Sequence, residues 1–153
     1  MVDAGEAAGS PFGSWVHRSA GQRDLRPIAV CLRADDLDAI AARLGTRPEP
    51  MQRTRPDGVV LSWELLAVDA AIADGLPFFI RWHIADADLP GRHAVEHQAT
   101  TTGIAWLEIG GDRVRLDDWL GPHDLPLRPV GGYPGPRRLA VGVTGGKPII
   151  IDG

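Results

Sequence analysis

Residues 28–45 read IAVCLRADDLDAIAARLG, and residues 104–121 read IAWLEIGGDRVRLDDWLG. The two stretches align without a gap at an offset of 76 residues in a chain of 153, pairing Ile28 with Ile104, Ala29 with Ala105, Asp36 with Asp112, Ile40 with Leu116, Leu44 with Leu120 and Gly45 with Gly121. Self-similarity at half the chain length sets an architecture before any local element is assigned. Each copy opens on a short apolar run rich in branched residues, which predicts a strand. An Asp then stands where the free N–H groups of a helix start need an acceptor, and a helix of about ten residues follows. Its apolar stripe is Leu37, Ile40, Ala41 and Leu44 in the first copy and Leu116, Trp119 and Leu120 in the second. Leu-Gly closes both helices, with Gly45 and Gly121 suited to the left-handed position after a helix and Pro122 barring continuation of the second.

Beyond each helix, turn signals separate further strand-like runs. The first half predicts strands over Pro50–Thr54, Gly58–Leu66 and Pro77–Ile84, with Pro56-Asp57-Gly58 and Asp74-Gly75 as turns. The second predicts Leu127–Val130, Arg137–Val143 and Lys147–Asp152, with Gly145-Gly146 before the last. Both halves therefore read βαβββ, an α+β class. The 19 Gly and 13 Pro, too many for a helical bundle, fall in the turns between these strands.

Composition narrows the function classes. Apolar residues make up 44% and charged residues 24%, ordinary for a globular chain. The net charge of −4, with basic residues scattered, argues against nucleic acid as a partner. Met1 to Ser10 has neither a positive n-region nor an apolar h-region, and no run spans a bilayer, so the expectation is a cytoplasmic protein with no membrane partner. The single Cys31 cannot form an internal disulfide and reads as a small buried hydrophobe within Ile28 to Leu32.

Two βαβββ modules with an Asp-started helix ending in Leu-Gly resemble the vicinal oxygen chelate superfamily, which includes glyoxalase I, extradiol dioxygenases and bleomycin-resistance proteins. RTRPDGVVLSWEL (Arg53 to Leu65) and LPFFIRWH (Leu76 to His83) are similar, more narrowly, to the glyoxalase-like domain family found in bacterial proteins. The resemblance implies a curled, cup-shaped mixed sheet made from tandem modules. It divides the chain into a tail over residues 1–26, a first module over 27–84, a connector over 85–102 and a second module over 103–153. The tail is expected to be partly ordered with Trp15 docked, the alternative being its exchange onto a second subunit.

In metal-dependent members of the superfamily, a first-strand His stands about seven residues before the helix-start Asp, and a Glu stands on the final strand. Here those first-strand positions are Ala29 and Ala105, and Arg81 stands in the final-strand segment PFFIR where relatives often carry an acid. Two methyl groups and a guanidinium do not bind a divalent cation. No cofactor is therefore expected, and the only metal candidates are His83, Glu108 and Asp152. The alanines would leave an apolar floor to a cleft between the modules, with Trp63, Phe79 and Arg81 in its walls, so the ligand-binding set is Arg81, Trp63, Phe79, Ala29 and Ala105. Against this, tryptophans commonly fill cores, and Arg81 has Glu64 and Asp152 as candidate ion-pair partners.

Other motifs carry less. His93-Ala94-Val95-Glu96-His97 fits the H-x-x-E-H pattern of certain zinc peptidases, but it lies in the connector between Pro90-Gly91 and Thr100. No nucleophile elbow, P-loop or dinucleotide fingerprint is present. Three readings follow. The first is a metal-free glyoxalase-like domain that binds a small anionic or aromatic molecule between its modules. The second is a metal-dependent lyase, isomerase or dioxygenase with relocated ligands. The third is an interaction module, with a homodimer as its partner and a vestigial cleft. Whether any catalysis occurs is left open.

Overall fold

A computed structural model of the chain describes Ser14, Trp15, Arg18, residues 26–90, Arg92 and residues 100–153. Most of the predicted tail and the His93 to His97 motif therefore lie outside the described residues, although Trp15 itself is half-buried. The described residues form two compact units, one within Val30–Thr100 and the other within Thr101–Gly153 together with the described residues before Val30. Each carries a four-stranded mixed sheet, which makes the class α+β.

The first unit runs β1 (Cys31–Arg33), α1 (Leu37–Leu44), β2 (Glu49–Thr54), β3 (Val60–Leu66), α2 (Val68–Asp74) and β4 (Phe78–Trp82). Asp36 caps α1 as its position predicts, its carboxylate accepting the Ala39 N–H at 2.9 Å. Gly45 ends the helix at φ 64°, ψ 30°, in the left-handed region that a residue with a Cβ avoids. Leu37, at 0% exposure, and Ala41 form the buried stripe. α2 is an element the sequence reading did not contain. Its Gly75 is again a left-handed helix end, not the hairpin turn expected after Asp74.

The strand order is β1-β4-β3-β2, with β1 parallel to β4 and the rest antiparallel. β2 is an exposed edge along its whole length. The Arg55 N–H to Val59 carbonyl bond sets the hairpin so that Pro50, Gln52 and Thr54 direct their backbone groups outward. Pro50 has no N–H to offer there, which blunts the edge against pairing with another chain.

The second unit runs β5 (Thr101–Gly110), α3 (Arg113–Leu120), β6 (Leu127–Val130), β7 (Gly135–Val143) and β8 (Ile149–Asp152). Asp112 caps α3 by accepting the Arg115 N–H at 3.1 Å. Gly121 has the expected positive φ of 69°, but its ψ of −166° departs from the left-handed helical region. The reason is Pro122, whose ring drives the preceding residue toward extended ψ. Gly110 is required by packing, because a Cβ there would collide with the Tyr133 backbone carbonyl.

The second sheet has the order β6-β5-β7-β8, so its first strand is central where the first strand of the other unit is an edge. Both first strands still have a parallel neighbour. A parallel pair needs a crossover, usually a helix. In the first unit α2 joins β3 to its antiparallel neighbour β4, and β4 lies parallel beside β1. In the second, β7 and β8 form an antiparallel hairpin, and the parallel partner of β5 is β6, reached through α3.

Candidate functional site

Side chains alternate across a sheet, so the strand registers decide which residues share a face. In the first unit Glu64 pairs with Arg81 and Leu66 with Phe79, whereas Trp63 pairs with Trp82 and Leu65 with Ile80. Arg81 and Phe79 therefore lie on one face and Trp63 on the other. Phe79 and Leu66 are buried at 4% and 1%, together with Leu37 and Ala41 of α1 and Ala71 of α2.

On that helix-covered face Arg81 is fully engaged. Its Nε donates to Glu64 Oε2 at 2.8 Å and its Nη1 to Asp38 Oδ2 at 2.7 Å. Glu64 also faces His83, whose Nε2 lies 2.7 Å from the same carboxylate oxygen. The hydrogen bonds from Arg81, and then from His83, hold the Glu64 carboxyl below its ordinary range. Asp38 is likewise lowered by its Arg81 bond, and the two acids hold Arg81 firmly protonated. A guanidinium with two carboxylate partners is a structural cation before it is an anion receptor.

The opposite face is aromatic. The Trp63 and Trp82 rings pack with centroids 5.3 Å apart, tilted at 48°. Arg33 pairs in register with Ile80 and so shares this face with Trp82. After β4 the chain turns through a single 3₁₀ turn, Asp86–Asp88, and returns Leu89, Pro90 and Arg92 toward Trp82. The Arg92 N–H bonds the Leu89 carbonyl at 3.0 Å, and Arg33 Nη2 bonds Asp86 Oδ1 at 3.2 Å. Between them lies an open cavity of about 340 Å³ lined by Arg33, Trp82, Leu89, Pro90 and Arg92. Leu89 is buried, whereas Arg33 and Arg92 are exposed. Sequence reasoning did not assemble this set. Its members come from a strand end, a second strand and the connector, and no spacing pattern links them.

Cys31 begins β1 and is exposed, contrary to the expectation of a buried hydrophobe. The reason is the short first strand at the sheet edge, which leaves one side of Cys31 uncovered. The chain packed around its sulfur still pushes the thiol up to about 12. A protonated thiol is a poor nucleophile and a poor metal ligand.

In the second unit Arg128, Glu108, Arg138 and Asp152 stand in register across the four strands, alternating in sign. Arg138 Nε donates to Asp152 Oδ1 at 2.6 Å, and that bond, reinforced by the charges of Asp152 and Glu108, raises Arg138. Arg128 also stacks over Trp106 at 4.4 Å from the ring centroid. Two of the three metal candidates, Glu108 and Asp152, are thus spaced by an arginine. The third, His83, has Glu64 as its neighbour. Ala29 precedes β1 half-buried, and Ala105 is exposed within β5.

The superfamily's metal does not fit these residues. Ala29 and Ala105 offer no donor atom, and among the described residues no three His, Cys, Asp or Glu side chains converge. No helix among the described residues is long and apolar enough to cross a membrane.

Two units, each a mixed sheet whose helix starts at an Asp 76 residues from its counterpart, define a duplicated α+β domain of the vicinal oxygen chelate kind. Residues 2–120 match the glyoxalase-like domain family, and the chain belongs to it. No curated protein and no solved structure matches the chain.

Proposed function

We propose that this glyoxalase-like domain binds a small organic molecule through its own side chains, and that the cavity of the first unit is the site. The observation that carries the reading is the cavity of about 340 Å³ with an indole, a buried leucine and a proline in its wall and two arginines at its rim. That volume lies at the small end of the roughly 300–1,000 Å³ usual for ligand pockets, and its open, mostly polar lining suits a small charged molecule with a modest apolar part. Arg81, by contrast, spends its hydrogen-bonding capacity on Glu64 and Asp38.

A thermal-shift screen of small aromatic and aliphatic compounds, run on the wild type and on Trp82→Leu, tests the proposal. Compounds that raise the wild-type melting temperature and lose most of that effect in Trp82→Leu support it. A screen in which no compound moves the wild type would sink it. The rival reading, a metal-dependent enzyme built on His83, Glu108 or Asp152, is tested by metal analysis of the purified protein. Stoichiometric zinc, manganese, iron or nickel lost on substituting one of those residues would favour it.

A further inference from the structure

Resting on that reading of the cavity, we infer that its ligand is a flat organic carboxylate, whose carboxylate is held between Arg33 and Arg92 and whose ring lies on Trp82. The charge in the cavity is one-sided. Among the described residues two guanidiniums line it and no acidic side chain does. The nearby acid that engages either of them, Asp86, bonds Arg33 from outside the lining at 3.2 Å. Arg92 makes no ion pair among the described residues. Guanidiniums present forked N–H donors that match the two oxygens of a carboxylate, which a compact ammonium does not.

The remaining wall selects the body of the ligand. Trp82 is held in place by Trp63, 5.3 Å away, so its orientation is set before a ligand arrives. With Pro90 beside it, the indole is the apolar part of an otherwise mostly polar lining, and an inorganic anion cannot use that part. A planar ring fits the indole, and its carboxylate reaches the rim. Asp86 is the carboxylate that Arg33 already holds. Its side chain is 72% exposed and that of Arg33 is 50% exposed, so the pair is weak and an incoming carboxylate exchanges with it at small cost.

Isothermal titration of the full chain with benzoate, benzamide, cyclohexanecarboxylate and inorganic phosphate tests the inference. Benzoate is expected to bind at least about 10-fold more tightly than benzamide, because a charge-assisted hydrogen bond separates them. It is also expected to bind several-fold more tightly than cyclohexanecarboxylate, which has the charge without the flat ring. Arg33→Gln and Arg92→Gln should each weaken benzoate about 10-fold or more, and Asp86→Asn should tighten it by a few-fold. All three positions are at the surface, and unchanged melting temperatures will verify folding. If benzamide matches benzoate and neither arginine variant matters, the carboxylate inference fails while the binding reading stands. Phosphate binding as tight as benzoate also overturns it, since the apolar wall then plays no part. If no aromatic probe binds the wild type, charged or neutral, both fail together.

Discussion

Arg81 on β4 and Glu64 on β3 stand directly opposite each other in the antiparallel ladder, and the guanidinium donates to the carboxylate at 2.8 Å. The pair joins Asp38 on α1 to the sheet and carries His83 on its far side. It turns a residue that the sequence suggested for ligand binding into a link between helix and sheet.

That link predicts an acid-side dependence. The carboxyls of Glu64 and Asp38 are both lowered in the folded protein by Arg81. A group with a depressed folded pKa contributes stability that is present above its unfolded value and is lost as the pH falls through the folded one. The melting temperature of Arg81→Gln is therefore expected to lie below that of the wild type at pH 6. The gap should narrow once the pH passes below about 4, the ordinary carboxylate range. Differential scanning calorimetry from pH 6 to 3 measures this, and a gap independent of pH would contradict it.

Phe79 is 4% exposed on the helix-covered face, so it acts in the core. Phe79→Ala is expected to cost about 3–5 kcal/mol, and Leu66→Ala about 2–5 kcal/mol, in urea unfolding. Met51→Ala, at an exposed position on β2, should stay within about 0.5 kcal/mol. A Phe79→Ala variant of near wild-type stability would show that the face is loosely packed.

Asp36 and Asp112 make the same cap in the two units. Each change to Ala is expected to cost about 1 kcal/mol. The caps share no partner, so the double variant should show the sum to within about 0.5 kcal/mol. A marked excess in the double variant would mean that the units do not tolerate the losses independently.

Ala67, before α2, has a φ of 65°, in the left-handed region where a Cβ is strained. Ala67→Gly should stabilise the chain by up to about 1 kcal/mol, the relief of strain exceeding the added freedom of the unfolded chain. A destabilised Ala67→Gly would show that the Ala67 methyl packs more than it strains.

The Cys31 thiol, pushed up to about 12, is protonated at neutral pH despite the exposure of the residue. Iodoacetamide should alkylate it far more slowly at pH 8 than a free cysteine, with the rate climbing steeply above about pH 10. Mass spectrometry of timed samples reads this directly, and modification at the free-cysteine rate would mean that the thiol is solvated.

The α+β class, both capped helices and the positions of seven strands after the first were legible in the sequence. They rest on local physics: an Asp at a helix start, a glycine after it, and apolar runs between turn residues. Expected strands matched to within a few residues, Leu127–Val130 without change. The helix Val68–Asp74 was missed because its end signal, Asp74-Gly75, serves a hairpin turn equally well. The two similarly patterned copies also gave no sign that their sheets are wired differently.

What the sequence determined by itself was the duplication, the caps and the lack of donors at Ala29 and Ala105, because these are properties of residue type and spacing. Only the tertiary structure decided which groups are spent and which are free. Strand register put Arg81 and Phe79 on the helix-covered face and Trp63 on the other. It gave Arg81 two carboxylate partners, and a chain reversal after β4 brought Arg92 and Leu89 to Arg33 and Trp82. One step of register reverses the face of every side chain in a strand, and a reversal joins residues that no local pattern relates.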